Sequence, residues 1–317
     1  MKTLNQYIQE KLIVNKDYQD ACISPKSFDE LRKIIKDRYD KLGPGTKQNP
    51  IDFNDIDVSN IDSFYNSNID EGIFEETKFK HIDISDWDVS NIESMHGMFY
   101  GCKELESVGD ISKLDVSNVT NMRSMFFRCE SFNQDISKWN VSNVKDMSYM
   151  FFMCENFNQN ISGWDVSSVE NMHNMFYECK NFNQDLSDWN VSKVTNMEYM
   201  FYYCKKFNQD ISKWNVSKVT NMTHMFHYCK KFNQDISKWN VSNVTDMKYM
   251  FYRCEELESA GDLSKWDISN VTYMSYMFAF CKKFNQDISK WNVSNVRLHD
   301  YMFEKCPIKE EYKPKFK

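Results

Sequence analysis

Apolar residues fall along most of this chain at one fixed set of intervals. With Phe132-Asn-Gln-Asp-Ile136-Ser-Lys-Trp139-Asn-Val141 taken as positions 1 to 10, apolar side chains hold positions 1, 5, 8, 10, 13, 16, 19, 20 and 23, with polar ones between. The block is written nine times, its Trp position filled by Trp87, Leu114, Trp139, Trp164, Trp189, Trp214, Trp239, Trp266 and Trp291, and a Cys follows each fifteen residues later. The period is 25 residues except where Glu104–Asp110 and Glu256–Asp262 each carry two extra. A constant period with insertions confined to one loop is the signature of a repeat array.

Two local rhythms alternate inside the block. Positions 5, 8 and 10 spell the L-x-x-L-x-L of a leucine-rich repeat strand, which puts Ser at 6, Lys at 7, Asn at 9 and Ser at 11 on an outer, concave face. From position 13 the steps lengthen to three and four (Val144, Met147, Met150, Phe151, Cys154) and predict a short helical or 3₁₀ return arm. The expected fold is an α/β repeat solenoid: a leucine-rich repeat coil with a parallel β-sheet on the concave side, helical return arms, and a small helical segment in front. One coil alone cannot bury its apolar positions, so like side chains should pile into columns and the end coils should need covers.

The segments outside the block differ in kind. Residues 1–45 form a helical leader: Leu4, Ile8 and Leu12 recur at helical spacing, and Ser27-x-x-Glu30 announces a second helix with Phe28, Leu31, Ile35 and Leu42 on one face, stopped by Gly43-Pro44-Gly45. Such a pair serves equally as a cap on the array or as a docking tag. Residues 46–86 read as an acidic N-terminal capping region, where Ile56-Asp-Val-Ser-Asn-Ile61 is a degenerate repeat. The nine-copy array spans 87–306, and after Pro307 residues 307–317 form a tail.

Composition narrows the function classes. Net charge is −7, with residues 51–86 carrying two Lys/Arg against ten Asp/Glu, a poor balance for nucleic-acid binding. No run approaches the ~18 apolar residues of a membrane span, and the first residues lack the apolar core of a signal peptide; a cytoplasmic or virion-associated protein without membrane insertion is the expectation. No nucleophile, base and orienting group stand apart from the repeat columns, so the chain reads as a non-enzyme with no cofactor.

The reactive residue types are column members too. Cys102, Cys129, Cys154, Cys179, Cys204, Cys229, Cys254, Cys281 and Cys306 occupy one position in an apolar arm and read as buried free thiols, not as metal ligands or disulfides. His224 and His227, three apart, read as replacements of Tyr or Met. Asp at position 4, as in Asp135 and Asp210, reads as a turn-capping carboxylate and not as a calcium column. Asn140 and Asn215, although in Asn-x-Ser sequences, read as structural Asn.

The string F-N-Q-D-I-S-K-W-N-V-S-N-V-T-x-M-x-Y-M-F-x-x-C resembles the 25-residue repeat of BspA-type leucine-rich repeat surface proteins, also described from mycoplasma surface lipoproteins, over residues 51–306. The resemblance implies a right-handed solenoid used for adhesion or protein binding, displayed outside cells of host-associated bacteria, with no catalytic residues. This chain departs from the family in lacking a secretion signal or lipobox. Its opening, Leu-Asn-Gln-Tyr-Ile-Gln-Glu-Lys-Leu-Ile-Val-Asn-Lys, resembles leaders of proteins encoded by phages of gut bacteria, which implies an assembly part of a phage particle as the alternative role.

Two surfaces are the candidates for binding a protein or a repetitive glycan. One is the polar strip, represented by Lys138, Asn140, Asn190, Lys213, Asn215, Lys238 and Asn240. The other is an aromatic stripe on the arms, where Tyr199/Tyr202 and Tyr249/Tyr252 sit three apart. Strip monotony suggests a partner with its own periodicity, held by many weak contacts.

Overall fold

The computed structural model describes residues 22–69, 71–75 and 77–316; the expected first helix and the leader motif at Leu4–Lys16 lie outside them. Helix α1 (Phe28–Leu42) starts where the sequence places it. Ser27 Oγ accepts the Glu30 N–H, and Glu30 Oε2 reaches back to the N–H of Lys26, 2.8 Å away. Gly43 ends the helix at φ 75°, its N–H donating to the Tyr39 carbonyl, a left-handed turn that glycine takes without steric cost.

The inner face of α1 lies on the first coils. Leu31 and Ile35 are fully buried, and so is Arg38, whose guanidinium grips both carboxylate oxygens of Asp55 (2.6 and 2.5 Å) and the Asp52 carbonyl. This part of the leader thus packs on the array. Short strands continue the join: β1 (Ile51–Asp52) pairs in parallel with β4 (Ile82–Asp83), and β2 (Tyr65–Asn66) pairs antiparallel with β3 (Glu71–Gly72).

Beyond β4 the chain is a repeat fold of stacked coils. Parallel bridges link Ser94 to Asn121 and then position 15 of each coil to the same position of the next, through Asp146, Asn171, Asn196, Asn221, Asp246, Tyr273 and Leu298. Around each bridge the backbone alternates. The N–H groups at positions 16, 18, 20 and 22 donate to the following coil, as Met147 to Asn171, Tyr149 to His173, Phe151 to Met175 and Met153 to Tyr177 (2.7–3.1 Å). Those at 19, 21 and 23 turn back within their own coil, as Met150 to Met147, Phe152 to Tyr149 and Cys154 to Phe151. Positions 18 and 22 take positive φ to make this possible, 58° at both Tyr149 and Met153.

This corrects the expected layout of the coil. Positions 5–10 are not a strand. The Trp139 N–H closes a local turn on Ile136, the Ser137 N–H bonds the Asp135 side chain, and just beyond, the Ser142 and Val144 N–H groups turn back on Asn140 and Val141, so no continuous pairing forms there. In the two coils with insertions, that place is a 3₁₀ turn, Ile111–Lys113 and Leu263–Lys265. The arm from position 13 is likewise not helical; it carries the coil-to-coil ladder, made of consecutive tight turns. The sheet-like pairing therefore runs under the aromatic stripe, not under the polar strip.

The core is a set of columns. In the inner coils the apolar positions are buried throughout. Phe126, Phe151, Phe176, Phe201, Phe226 and Phe251 stack 5.6–5.7 Å apart, and each of the first five also stacks at 4.0–4.2 Å on the Phe that opens the next block. Parallel rings at these distances are the offset-stacked geometry that aromatic pairs favour. The tail closes the far end, with Ile308 buried, the Ile288 N–H donating to the Tyr312 carbonyl and Phe316 stacked on His299.

Candidate functional site

Polar side chains between the columns tie coils together before they face outward. Each Trp indole donates to the position-5 carbonyl one coil earlier, as Trp164 to Ile136 and Trp239 to Ile211. Each inner Cys thiol donates to the position-20 carbonyl one coil earlier, as Cys179 to Phe151 at 3.0 Å. Burial pushes these thiols far above the usual range, so they are uncharged packing groups, as their column position suggests. At position 2, Asn158, Asn183 and Asn208 form a ladder in which each side-chain oxygen accepts the backbone N–H of its counterpart one coil on.

The polar strip is built from turns of one kind. Asp135 accepts the N–H of Ser137, and Asn140 accepts both the N–H and the hydroxyl of Ser142. Hydrogen bonds from Ser137 and Ser237 hold the Asp135 and Asp235 carboxyls below the usual range, the turn-capping role expected of position 4. Asn190, Asn215 and Asn240 likewise accept the N–H groups of Ser192, Ser217 and Ser242. Since these turns use the Asn oxygen, the amide N–H groups are left to face outward. Lys138, Lys213 and Lys238 stand exposed beside them, Lys213 reaching Asp188 of the preceding coil at 3.3 Å. The strip thus sets Lys and Asn donors on a backbone fixed by its own side chains, interspersed with carboxylates where other coils carry Asp88, Asp115, Asp165, Asp188 and Asp267.

The aromatic stripe has a different character. Tyr100, Phe127, Phe152, Tyr177, Tyr202, His227 and Tyr252 form one file with ring centroids 4.4–4.6 Å apart. Tyr199, His224, Tyr249, Tyr276 and Tyr301 form a second at 4.4–5.1 Å. Nearly parallel rings this close use their faces on one another. What Tyr199, Tyr202, Tyr249 and Tyr252 offer outward is ring edge and hydroxyl, and all four are half-buried.

His224 and His227 are rungs of these files, in the places where other coils carry Tyr. Their Nδ1 atoms meet at 2.9 Å, a contact that needs one donor and one acceptor, so the two rings cannot both be charged. Burial lowers their pKa values to about 4 and about 3. Among the described residues no three of His, Cys, Asp and Glu gather where they could hold a metal ion, and no helix is long and apolar enough to cross a membrane.

The sequence pattern of a family described as "Mycoplasma protein of unknown function, DUF285" matches residues 51–187, 151–264 and 255–313, successive overlapping stretches that together take in the array. No curated protein matches the chain. A solved structure, a leucine-rich repeat protein from Bacteroides ovatus ATCC 8483, aligns with 74% of this chain and 82% of its own at 10% identity and a TM-score of 0.19, too slight a likeness to bear on the fold.

Proposed function

We propose that this chain, which belongs to the DUF285 family of Mycoplasma proteins of unknown function, is a non-enzymatic binding scaffold: a repeat solenoid similar to the BspA type whose polar strip grips a partner with its own periodicity. The observation that carries this is the strip itself, where Lys138, Lys213 and Lys238 with Asn140, Asn215 and Asn240 present the same outward donors on the same fixed turns. Donors and carboxylates recurring at one spacing suit a polymer with its own repeat, a surface polysaccharide or a repetitive protein lattice, held through many weak contacts. The aromatic files suit that role less, since their ring faces are already occupied.

The test is retention on immobilised acidic and neutral polysaccharides, with oligomers of increasing length as competitors. A periodic scaffold gives retention that rises steeply with oligomer length and falls at least tenfold when Lys138, Lys213 and Lys238 are all changed to Glu. Length-independent binding, or capture of one compact globular partner at high affinity that survives the triple change, overturns the reading.

A further inference from the structure

We propose that the polar strip holds a second copy of this chain, the two arrays lying face to face and parallel across their last four coils. This rests on the strip being the gripping face and names its periodic partner. Over those coils the strip is two rows of opposite charge. Position 4 is Asp210, Asp235, Asp262 and Asp287, and position 7 is Lys213, Lys238, Lys265 and Lys290, all of them exposed.

The buried column beside them keeps the rows in register. Each Lys precedes a position-8 Trp, and Trp214 stacks on Trp239 at 6.4 Å and Trp266 on Trp291 at 6.3 Å, so the charges recur once per coil. Each Asp is fixed where it stands, its Oδ1 accepting the N–H of the Ser two residues on. The two rows run side by side, with Lys265 standing 3.4 Å from Asp262 of its own coil. Lys213 turns instead to Asp188, while Lys238 and Lys290 make no ion pair among the described residues.

Symmetry decides how two such faces meet. A two-fold axis laid along the rows exchanges left for right: it sets Lys213 opposite Asp210 of the second copy, and Asp210 opposite its Lys213, with the same exchange in each later coil. A two-fold axis laid across the rows turns one array end for end and sets Lys against Lys and Asp against Asp. Only the first is self-complementary. The preceding coils bound the contact, since Asn160 and Gly163 hold these positions without charge and Asp185 with Asp188 would bring carboxylates together. Exposed ion pairs are individually weak and screened by salt, so two per coil over four coils make a weak, salt-sensitive dimer.

Sedimentation equilibrium of the full chain tests this. The expected dimer has a Kd on the order of 0.1 mM at low ionic strength and weakens at least about tenfold between ~0.01 and ~0.5 M salt. Changing Lys213, Lys238, Lys265 and Lys290 together to Glu gives a monomer. Changing Asp210, Asp235, Asp262 and Asp287 together to Asn also gives a monomer and keeps the turn caps, as Asn160 does on Ser162. An equimolar mixture of the two variants associates, because one carries only acidic rows and the other only a basic row. Donor and acceptor dyes on Cys22, an exposed thiol at the amino end of the fold, show energy transfer in the parallel dimer. A chain still monomeric at ~1 mM and low salt, a dimer indifferent to the Lys changes, a mixture that does not associate, or a dimer without energy transfer overturns the proposal. An array retained on polysaccharide but monomeric fails this proposal alone, and one that dimerises without being retained fails only the polysaccharide reading.

Discussion

The indole N–H of Trp214 donates to the carbonyl oxygen of Leu186, 2.9 Å away and one coil earlier in the chain. Trp214 is almost wholly buried, so the bond has no water to replace it. Trp214→Phe keeps an aromatic ring but strands that carbonyl, and should cost about 1–3 kcal/mol. Trp214→Ala adds a cavity and should cost about 3–5 kcal/mol. Urea unfolding midpoints of the two variants check the order; equal midpoints would mean that the indole N–H contributes nothing.

The thiols should divide sharply by reactivity. Cys22 is exposed, Cys306 is partly covered with its thiol pushed up to about 11, and the other eight are buried. In native protein at pH 8, Ellman's reagent should react quickly at Cys22 alone, slowly at Cys306, and with the remaining eight only after denaturant is added. Fast reaction of Cys179 or Cys204 in native protein would contradict the buried column.

Stability should depend on pH through the histidine rungs. Both imidazoles are neutral when folded down to about pH 4 and 3, against an ordinary value of 6.5. Above pH 6.5 neither folded nor unfolded chain binds the extra protons, and stability is at its full value. As pH falls below 6.5 the unfolded chain takes them up first, so stability declines until the folded values are passed. The double change His224→Tyr and His227→Tyr should flatten the slope between pH 6.5 and 4.5, measured by chemical denaturation at several pH values. Below that window the turn-capping carboxyls such as Asp135, held low in the fold, add a loss of the same sign in both proteins.

Positive φ at positions 18 and 22 gives a further test. Met153 sits at φ 58°, which costs an L-residue about 1–2 kcal/mol relative to glycine. Met153→Gly should therefore be neutral or stabilising by about 1 kcal/mol. Met153→Val, β-branched and ill-suited to that region, should destabilise by about 2 kcal/mol, as thermal unfolding would show.

The apolar columns are legible in the sequence because burial depends on which residues recur, and Trp139, Val141, Met147, Phe151 and Cys154 recur without shift. Local conformation is harder to read. Spacings of three and two at Ile136, Trp139 and Val141 serve a chain of tight turns as well as a leucine-rich repeat strand, and steps of three and four from Val144 to Cys154 imitate a helix. The contrary signal lay in the first copy, where Gly97 and Gly101 fall at positions 18 and 22 and mark the left-handed turns that Tyr, Met and Arg adopt in later coils. The donors of the polar strip were legible as exposed residues.

The inner Trp and Cys donors all reach toward the amino end, while the arm backbone reaches toward the carboxyl end. The two ends of the array are thus unequal to trimming. Whole coils removed from the carboxyl end leave backbone amides and a few carbonyls, which water can solvate. Removal from the amino end instead leaves an indole and a thiol without acceptors amid an apolar face. Synthesis runs from the amino end, so a growing chain lacks only the coils whose absence is tolerated, each emerging coil settling onto a template already laid down.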